Sequence, residues 1–431
     1  MRQLLTDCAT HQADLYEMAI RLPLNEHPDA FIVVVVWTAT IARVLSTAKV
    51  DLMKWPFSPA VYIDHDTDFQ RLVGTLSNEP LIAIDTESNS LYAYRERVCL
   101  VQISTRTADY IVDPLRVADL SPLGPLLQNP AIEKVFHAAE YDLLCLKRDY
   151  GFVVHNLFDT MVAARVLGRK LVGLHNLLAE YCGVQQVDKS HQRDDWGQRP
   201  LPEDGLLYAQ QDTHYLPTLR DSLAAELQAA GRTEEAAEIF AEYASVEPTE
   251  RSFDPDGYWR IGIPADLSRR QMAILREVYL LRERLAEERD VPPFKVFSDK
   301  NLLAFAETPV TSARDLERIK GMTPQQVRRY GRDIMEAIEQ GKHAPNPRPP
   351  ARPPDLDPQV VERFSALKDW RRMRAEQRGV ESDVILSKNA LWDIAFKLPR
   401  TLGEMQRING LGPWRRATYG GEILEILERV G

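Results

Sequence analysis

Two carboxylates at a spacing of two, Asp85 and Glu87, follow the apolar run Leu81-Ile82-Ala83-Ile84. In an extended chain alternate side chains share a face, so both acids point the same way at the end of a buried strand. Like charges held together repel unless a positive group joins them, and a divalent cation is the economical choice. The pair alone fits an ordinary strand end equally well, so what decides is whether more acids arrive at the same place. Asp142, in Ala138-Ala139-Glu140-Tyr141-Asp142, falls in the first turn of an expected helix, where the helix dipole favours an anion. Tyr208 and Asp212 are four apart in a helical stretch and share a face, so the phenol could orient a water beside the carboxylate. Taken singly, Asp142 also reads as an ordinary helix-start aspartate, and Tyr208 with Asp212 as an amphipathic helix with an exposed acid.

The elements needed to position these acids are legible. Val61–Ile63, Leu81–Ile84, Val98–Ser104, Tyr110–Val112 and Lys134–His137 read as strands. Helices are expected over Asp66–Leu76, around Pro122–Leu127, and over Ala139–Asp149, Thr160–Leu167, Leu174–Tyr181 and Glu203 to about Leu227. A sheet built early and covered by later helices is an α/β layer architecture.

At 431 residues, with 44% hydrophobic and 27% charged content, the chain suits a soluble protein of two or three domains. Its four cysteines lie far apart with no Cys-x-x-Cys pair, which argues against a thiolate zinc site or a disulfide framework and suits a cytoplasmic location. The apolar run Ala30–Ala42 ends at Arg43, short of the roughly 20 residues a spanning helix needs, so no membrane is expected. A net charge of −10 disfavours nucleic acid mildly, although metal-binding acids contribute to it. Residues 1–57 are expected to be an N-terminal extension, poorly ordered or not native, with Met53 as the alternative start. An additional helix and strand packed on the domain is the other reading.

After Ser252 the pattern is purely helical, interrupted by a proline-rich linker over 344–358. The two helical halves are copies. At an offset of 89, Arg282, Ala286 and Glu287 fall on Arg371, Ala375 and Glu376, and Ile319, Gly321, Pro324 and Tyr330 fall on Ile408, Gly410, Pro413 and Tyr419. The expected domains are 58–250, 262–343 and 359–431.

The ordered set of Asp-x-Glu on a strand, Asp at a later helix start and Tyr-x-x-x-Asp on a late helix resembles the DEDD exonuclease superfamily, in its tyrosine branch. The surroundings resemble ribonuclease D: Ile82-Ala83-Ile84-Asp85-Thr86-Glu87, Phe136-His137-Ala138, Asp195-Trp196 and Arg199-Pro200-Leu201. The helical repeats resemble helicase-and-RNase-D C-terminal (HRDC) domains. The resemblance implies a ribonuclease H-like 3′–5′ exonuclease domain followed by two all-α HRDC-like domains. It implies that Asp85, Glu87, Asp142 and Asp212 hold two divalent cations, Mg²⁺ or Mn²⁺, with Tyr208 placing the attacking water. Two such ions about 4 Å apart can stabilise both the attacking and the leaving oxygen of a phosphodiester displacement.

Lys189, Gln192, Arg193 and Trp196 lie in a polar loop and either hold the RNA 3′ end by charge and stacking or, for the tryptophan, anchor the loop. Ile408-Asn409-Gly410-Leu411-Gly412-Pro413 resembles a helix-hairpin-helix turn that offers N–H groups to phosphate, with Arg415 and Arg416 following. Arg328 and Arg329 follow the poorer turn of the first copy; both pairs also suit a solvated helix face. His137 is expected to be a satisfied interior histidine and Asp159 a helix N-cap. The expected function is a metal-dependent 3′–5′ exoribonuclease releasing 5′-mononucleotides, acting as a monomer on RNA such as tRNA precursors. The alternatives are a nuclease of single-stranded DNA or a non-catalytic RNA-binding protein.

Overall fold

The structure, a computed structural model, describes residues 18–24, 27–36, 57–184, 190–248, 253–264, 266–351 and 355–430. It separates into two compact units, Met1–Pro59 and Ala60–Gly431. In the first, β1 (Met18–Leu24) pairs antiparallel with β2 (His27–Val36). The expected disorder of the extension falls otherwise on residues outside the described ones.

In the second unit a six-stranded sheet runs in the order β3 (Val61–Ile63), β6 (Asp109–Val112), β5 (Val98–Ser104), β4 (Leu81–Ser88), β7 (Glu133–Phe136), β8 (Leu157–Asp159). β4 is antiparallel to β5 and parallel to β7, so the sheet is mixed. Its first four residues and all of β5 are buried, which is why both read as continuous apolar runs rather than alternating ones. β8, only three residues long, carries too little periodicity to be read from sequence.

This unit also contains α1 (Asp66–Leu76), α2 (Leu123–Gln128) and α5 (Leu174–Tyr181), and the helices that position the site are α3 (Glu140–Tyr150), α4 (Thr160–Val166) and α6 (Glu203–His214). The single helix expected from Glu203 to about Leu227 is two: α6 ends at His214 and α7 runs Leu216–Ala229. Pro217 explains the break, since it has no N–H to continue the ladder and crowds the residue before it, while fitting the first turn of a new helix. An unforeseen helix, α8 (Thr233–Ala244), packs on β8, α4 and α7.

The helical copies follow. The first contains α9 (Arg269–Glu288), α11 (Asp299–Glu307) and α13 (Pro324–His343), with the short α10 (Pro293–Val296) and α12 (Ala313–Glu317) between them. The second contains α14 (Pro358–Arg378), α15 (Ser382–Ile385), α16 (Lys388–Lys397) and α17 (Pro413–Val430). The first copy closes its own hydrophobic core around Leu275, Val278, Phe297, Leu302 and Ile334. The apolar core of the second is continuous with that of the sheet domain, linking Trp370, Leu391 and Ile423 to Phe158, Ile239 and Phe240. Among the described residues, no helix is long and apolar enough to cross a membrane.

Candidate active site

Asp85 and Glu87 leave β4 on one face, and α6 crosses that face with Asp212 directed at them. One carboxylate oxygen from each of the three lies within 4.8 Å of the others. Asp142, in the first turn of α3, is 7% exposed and accepts a short hydrogen bond from the Thr86 hydroxyl. Thr86 thus uses the opposite face of the same strand to hold the fourth acid.

Burial holds Asp85 well above the carboxylate range, and the charge of Asp212 pushes it further. Burial does the same to Glu87, helped by Asp85, Asp212 and Asp142. Asp142 is raised by burial and then by Asp85, and its bond from Thr86 opposes the shift. Asp212 is pushed up to about 7 by burial, with the Tyr208 hydroxyl pulling it back. Four acids that each resist ionising in the others' company form a set of hard oxygen donors short of positive charge, and that fits a divalent cation.

Tyr208 is 7% exposed and donates to Asp212, while the Gln192 amide donates to its oxygen. Burial and the surrounding acids raise its pKa, so it stays a neutral phenol. Gln102, opposite Asp85 on β5, is fully buried, and neither of its amide atoms has a partner among the described residues. Directly opposed residues share a sheet face, which puts this uncommitted amide beside the acids.

Two further buried acids support the site from outside it. Asp159 caps α4 as expected, accepting from Met161 N and Val162 N. The same carboxylate also accepts from Ala138 N at 3.2 Å and Ala139 N at 2.7 Å, the residues that start α3. Ala138 sits at φ 62°, a left-handed turn that these bonds help to hold. Asp113, the residue after β6, is fully buried and forms a fork with Arg199 at 2.6 and 2.7 Å. Arg199 donates in turn to Trp196 O and Cys99 O, pinning the loop before α6 to β5. His137 is interior, as expected, with Nδ1 2.9 Å from the Thr160 hydroxyl and a pKa lowered by burial to about 4.

The expected RNA contacts divide. Gln192 and Arg193 are exposed; Gln192 reaches the site through its bond to Tyr208, and the Arg193 carbonyl accepts from the Tyr92 hydroxyl at 2.6 Å. Lys189 lies outside the described residues. Trp196 is a correction: it is 2% exposed and stacks on Tyr208 at 6.0 Å, so it anchors the loop and cannot offer a face to a base. Arg415 is a second correction. It is 2% exposed and bonds Glu242 at 2.8 Å, because an arginine one turn into α17 faces α8 rather than solvent. Arg416 is half-buried, with its guanidinium 3.4 Å from the Leu411 carbonyl.

The family described as 3′-5′ exonuclease matches residues 60–228, and the family described as HRDC domain matches 271–338 and again 361–427. The chain is 32% identical to ribonuclease D of Gluconacetobacter diazotrophicus, over 86% of this chain and 93% of that one. Among solved structures it resembles Escherichia coli RNase D, an exoribonuclease involved in structured RNA processing. That match has a TM-score of 0.59 and 26% identity, covering 86% of this chain and 99% of that one. It also resembles the catalytic core of RRP6 from Trypanosoma brucei, with a TM-score of 0.60 and 28% identity over 78% and 96% of the two chains.

Proposed function

Because this chain belongs to the ribonuclease D family and is a divalent-metal-dependent 3′–5′ exoribonuclease acting on RNA, we propose that Asp85, Glu87, Asp142 and Asp212 hold two cations, Mg²⁺ or Mn²⁺. Bound there, such ions supply an activated hydroxide and charge for the leaving 3′ oxygen. The observation that carries the assignment is the convergence of Asp85, Glu87 and Asp212 oxygens within 4.8 Å, from a strand and a helix more than a hundred residues apart in sequence.

The chain's own residues then have separable tasks. Thr86 fixes Asp142, and Asp159 fixes the turn from which Asp142 projects. Tyr208, a neutral phenol already donating to Asp212, has oxygen lone pairs to accept a water's O–H and aim its oxygen at the terminal phosphate. Gln192 and Arg193 stand where the last nucleotides would enter. The products are 5′-mononucleotides, and the substrates are structured RNAs such as tRNA precursors with 3′ tails.

The helical part of the chain holds the body of the RNA, on a monomer divided at 58–250, 262–343 and 359–431. The buried free thiols Cys99 and Cys145 suit a reducing cytoplasm. Digestion of tRNA precursors with defined 3′ tails, resolved by length, tests the reading. Stepwise shortening that requires Mg²⁺ or Mn²⁺ and stops near the mature end is expected. Equal trimming of a matched DNA strand would instead favour the single-stranded DNA alternative.

A further inference from the structure

The helix-hairpin-helix turn of the second copy is already filled. Glu238, on α8, accepts from Gly412 N at 3.1 Å and Trp414 N at 2.7 Å, and lies 3.4 Å from Arg415 N. These are the amides that such a turn presents to a phosphate. The glycine is required by the contact: a Cβ on Gly412 would stand 2.2 Å from the Glu238 carboxyl carbon. At the repeat offset of 89 the first copy has Thr323 in this place, and its own hydroxyl caps α13 by accepting from Gln326 N. One copy caps its last helix itself; the other takes its cap from a different domain.

Glu238 does not act alone. Glu235 and Glu242 flank it on the same face of α8, at spacings of three and four. Glu235 pairs with Arg378 at 2.6 Å, and Glu242 with Arg415 at 2.8 Å. Arg165 reaches Asp383 across the same boundary, and the apolar cores of the two domains run together beneath it. The first copy meets the sheet domain differently. Its contacts there include Tyr94 to Glu283 and Asp290 and Lys295 over the Tyr92 ring, on the segment whose Tyr92 also bonds the Arg193 carbonyl.

The two copies expose basic residues at different positions: Lys368, Arg372, Lys388 and Arg400 of the second are exposed where the first has Tyr279, Glu283, Asp299 and Thr311. Lys300, Lys320, Arg328, Arg329 and Arg332 are exposed in the first copy. Their counterparts in the second are Asn389, Asn409, Ala417, Thr418 and Gly421, none of them charged. Arg289, over the Tyr330 ring, corresponds to Arg378, which is spent on Glu235.

We propose that the second copy is a brace docked to the nuclease domain through Glu238, with its phosphate turn permanently occupied. The RNA grip then belongs to the first copy, beside the entrance of the active site. This rests on the RNA reading above for its second half only. Hydrogen exchange on the full-length chain tests both halves, with Asp212→Ala present so that a hairpin RNA carrying a 3′ tail persists.

Without RNA, the amides of Gly412, Trp414 and Arg415 should exchange slowly, and Glu238→Ala should speed them about tenfold or more. Glu238→Gln, which keeps an acceptor oxygen, should fall between. RNA should slow exchange around Arg328 and Arg329 and leave 412–415 unchanged. Arg328→Ala with Arg329→Ala should weaken RNA binding about tenfold, and Glu238→Ala should change it less than about twofold. Protection of 412–415 by RNA, or exchange there indifferent to Glu238→Ala, would overturn the brace. If RNA protected neither copy while Glu238→Ala still released the turn, docking would stand and the RNA grip would fall.

Discussion

Thr86 lies between two acids in sequence and holds a third in space, so a neutral side chain governs the shape of a charged site. Replacing it by Val keeps the volume and the strand but removes the bond to Asp142. Metal affinity should fall about 10- to 100-fold, as expected when a ligand's outer partner is lost. Calorimetric titration with Mn²⁺ would show this, and an unchanged affinity would mean that Asp142 needs no such support. Replacing Asp85 or Asp212 by Ala removes a ligand outright. Loss of at least about 10³-fold in turnover on 3′-tailed RNA is expected, with the fold retained, since several kcal/mol of charge stabilisation disappear. Tyr208→Phe keeps the ring packed on Trp196 and loses only the hydroxyl. Turnover should drop on the order of 10²-fold while Mn²⁺ still binds.

At the scale of elements, Asp159 joins α3 and α4 through four backbone N–H groups and is itself fully buried. Asp159→Ala strips one helix cap and leaves the α3 turn with unpaired buried donors. A stability loss of about 3 kcal/mol is expected in urea titrations, well beyond a single exposed cap. The variant should also lose affinity for Mn²⁺, because Asp142 rides on the turn that Asp159 holds. A variant that is merely less stable, with metal affinity intact, would show that the turn keeps its shape without the carboxylate.

For the whole molecule, the acids bind protons more tightly folded than unfolded, since their folded pKa values are raised. Their contribution to stability is therefore full below about pH 4, where both states are protonated, and is lost as pH rises through about 7, the folded value of Asp212. Metal-free protein should melt at a lower temperature at pH 8 than at pH 5. Saturating Mn²⁺ should restore it, by about 2.7 kcal/mol at a hundredfold excess over Kd. At one fixed Mn²⁺ concentration the gain should be larger at pH 8, where the metal displaces fewer protons and Kd is lower. Differential scanning calorimetry at the two values decides it; an equal gain at both would mean that the raised acids are not the ligands.

The five proposed site residues were legible in sequence because Asp85 with Glu87 and Tyr208 with Asp212 lie at fixed spacings within one element and Asp142 at a helix start, and strand and helix periods settle which side chains share a face. The duplication was legible because a single offset needs no structure to be seen. What the periodicities could not convey is which elements meet. Trp196 and Arg415 have the chemistry of RNA contacts, but packing against Tyr208 and α8 buries them. Asp159 looks like any helix cap until β7 and β8 pair and bring Ala138 and Ala139 to the same carboxylate. Glu238 lies 174 residues from Gly412, a separation over which no local pattern operates. Local periodicity thus singled out the candidate acids and the fold class. Long-range burial and hydrogen bonding decided which polar groups remain free to meet a substrate.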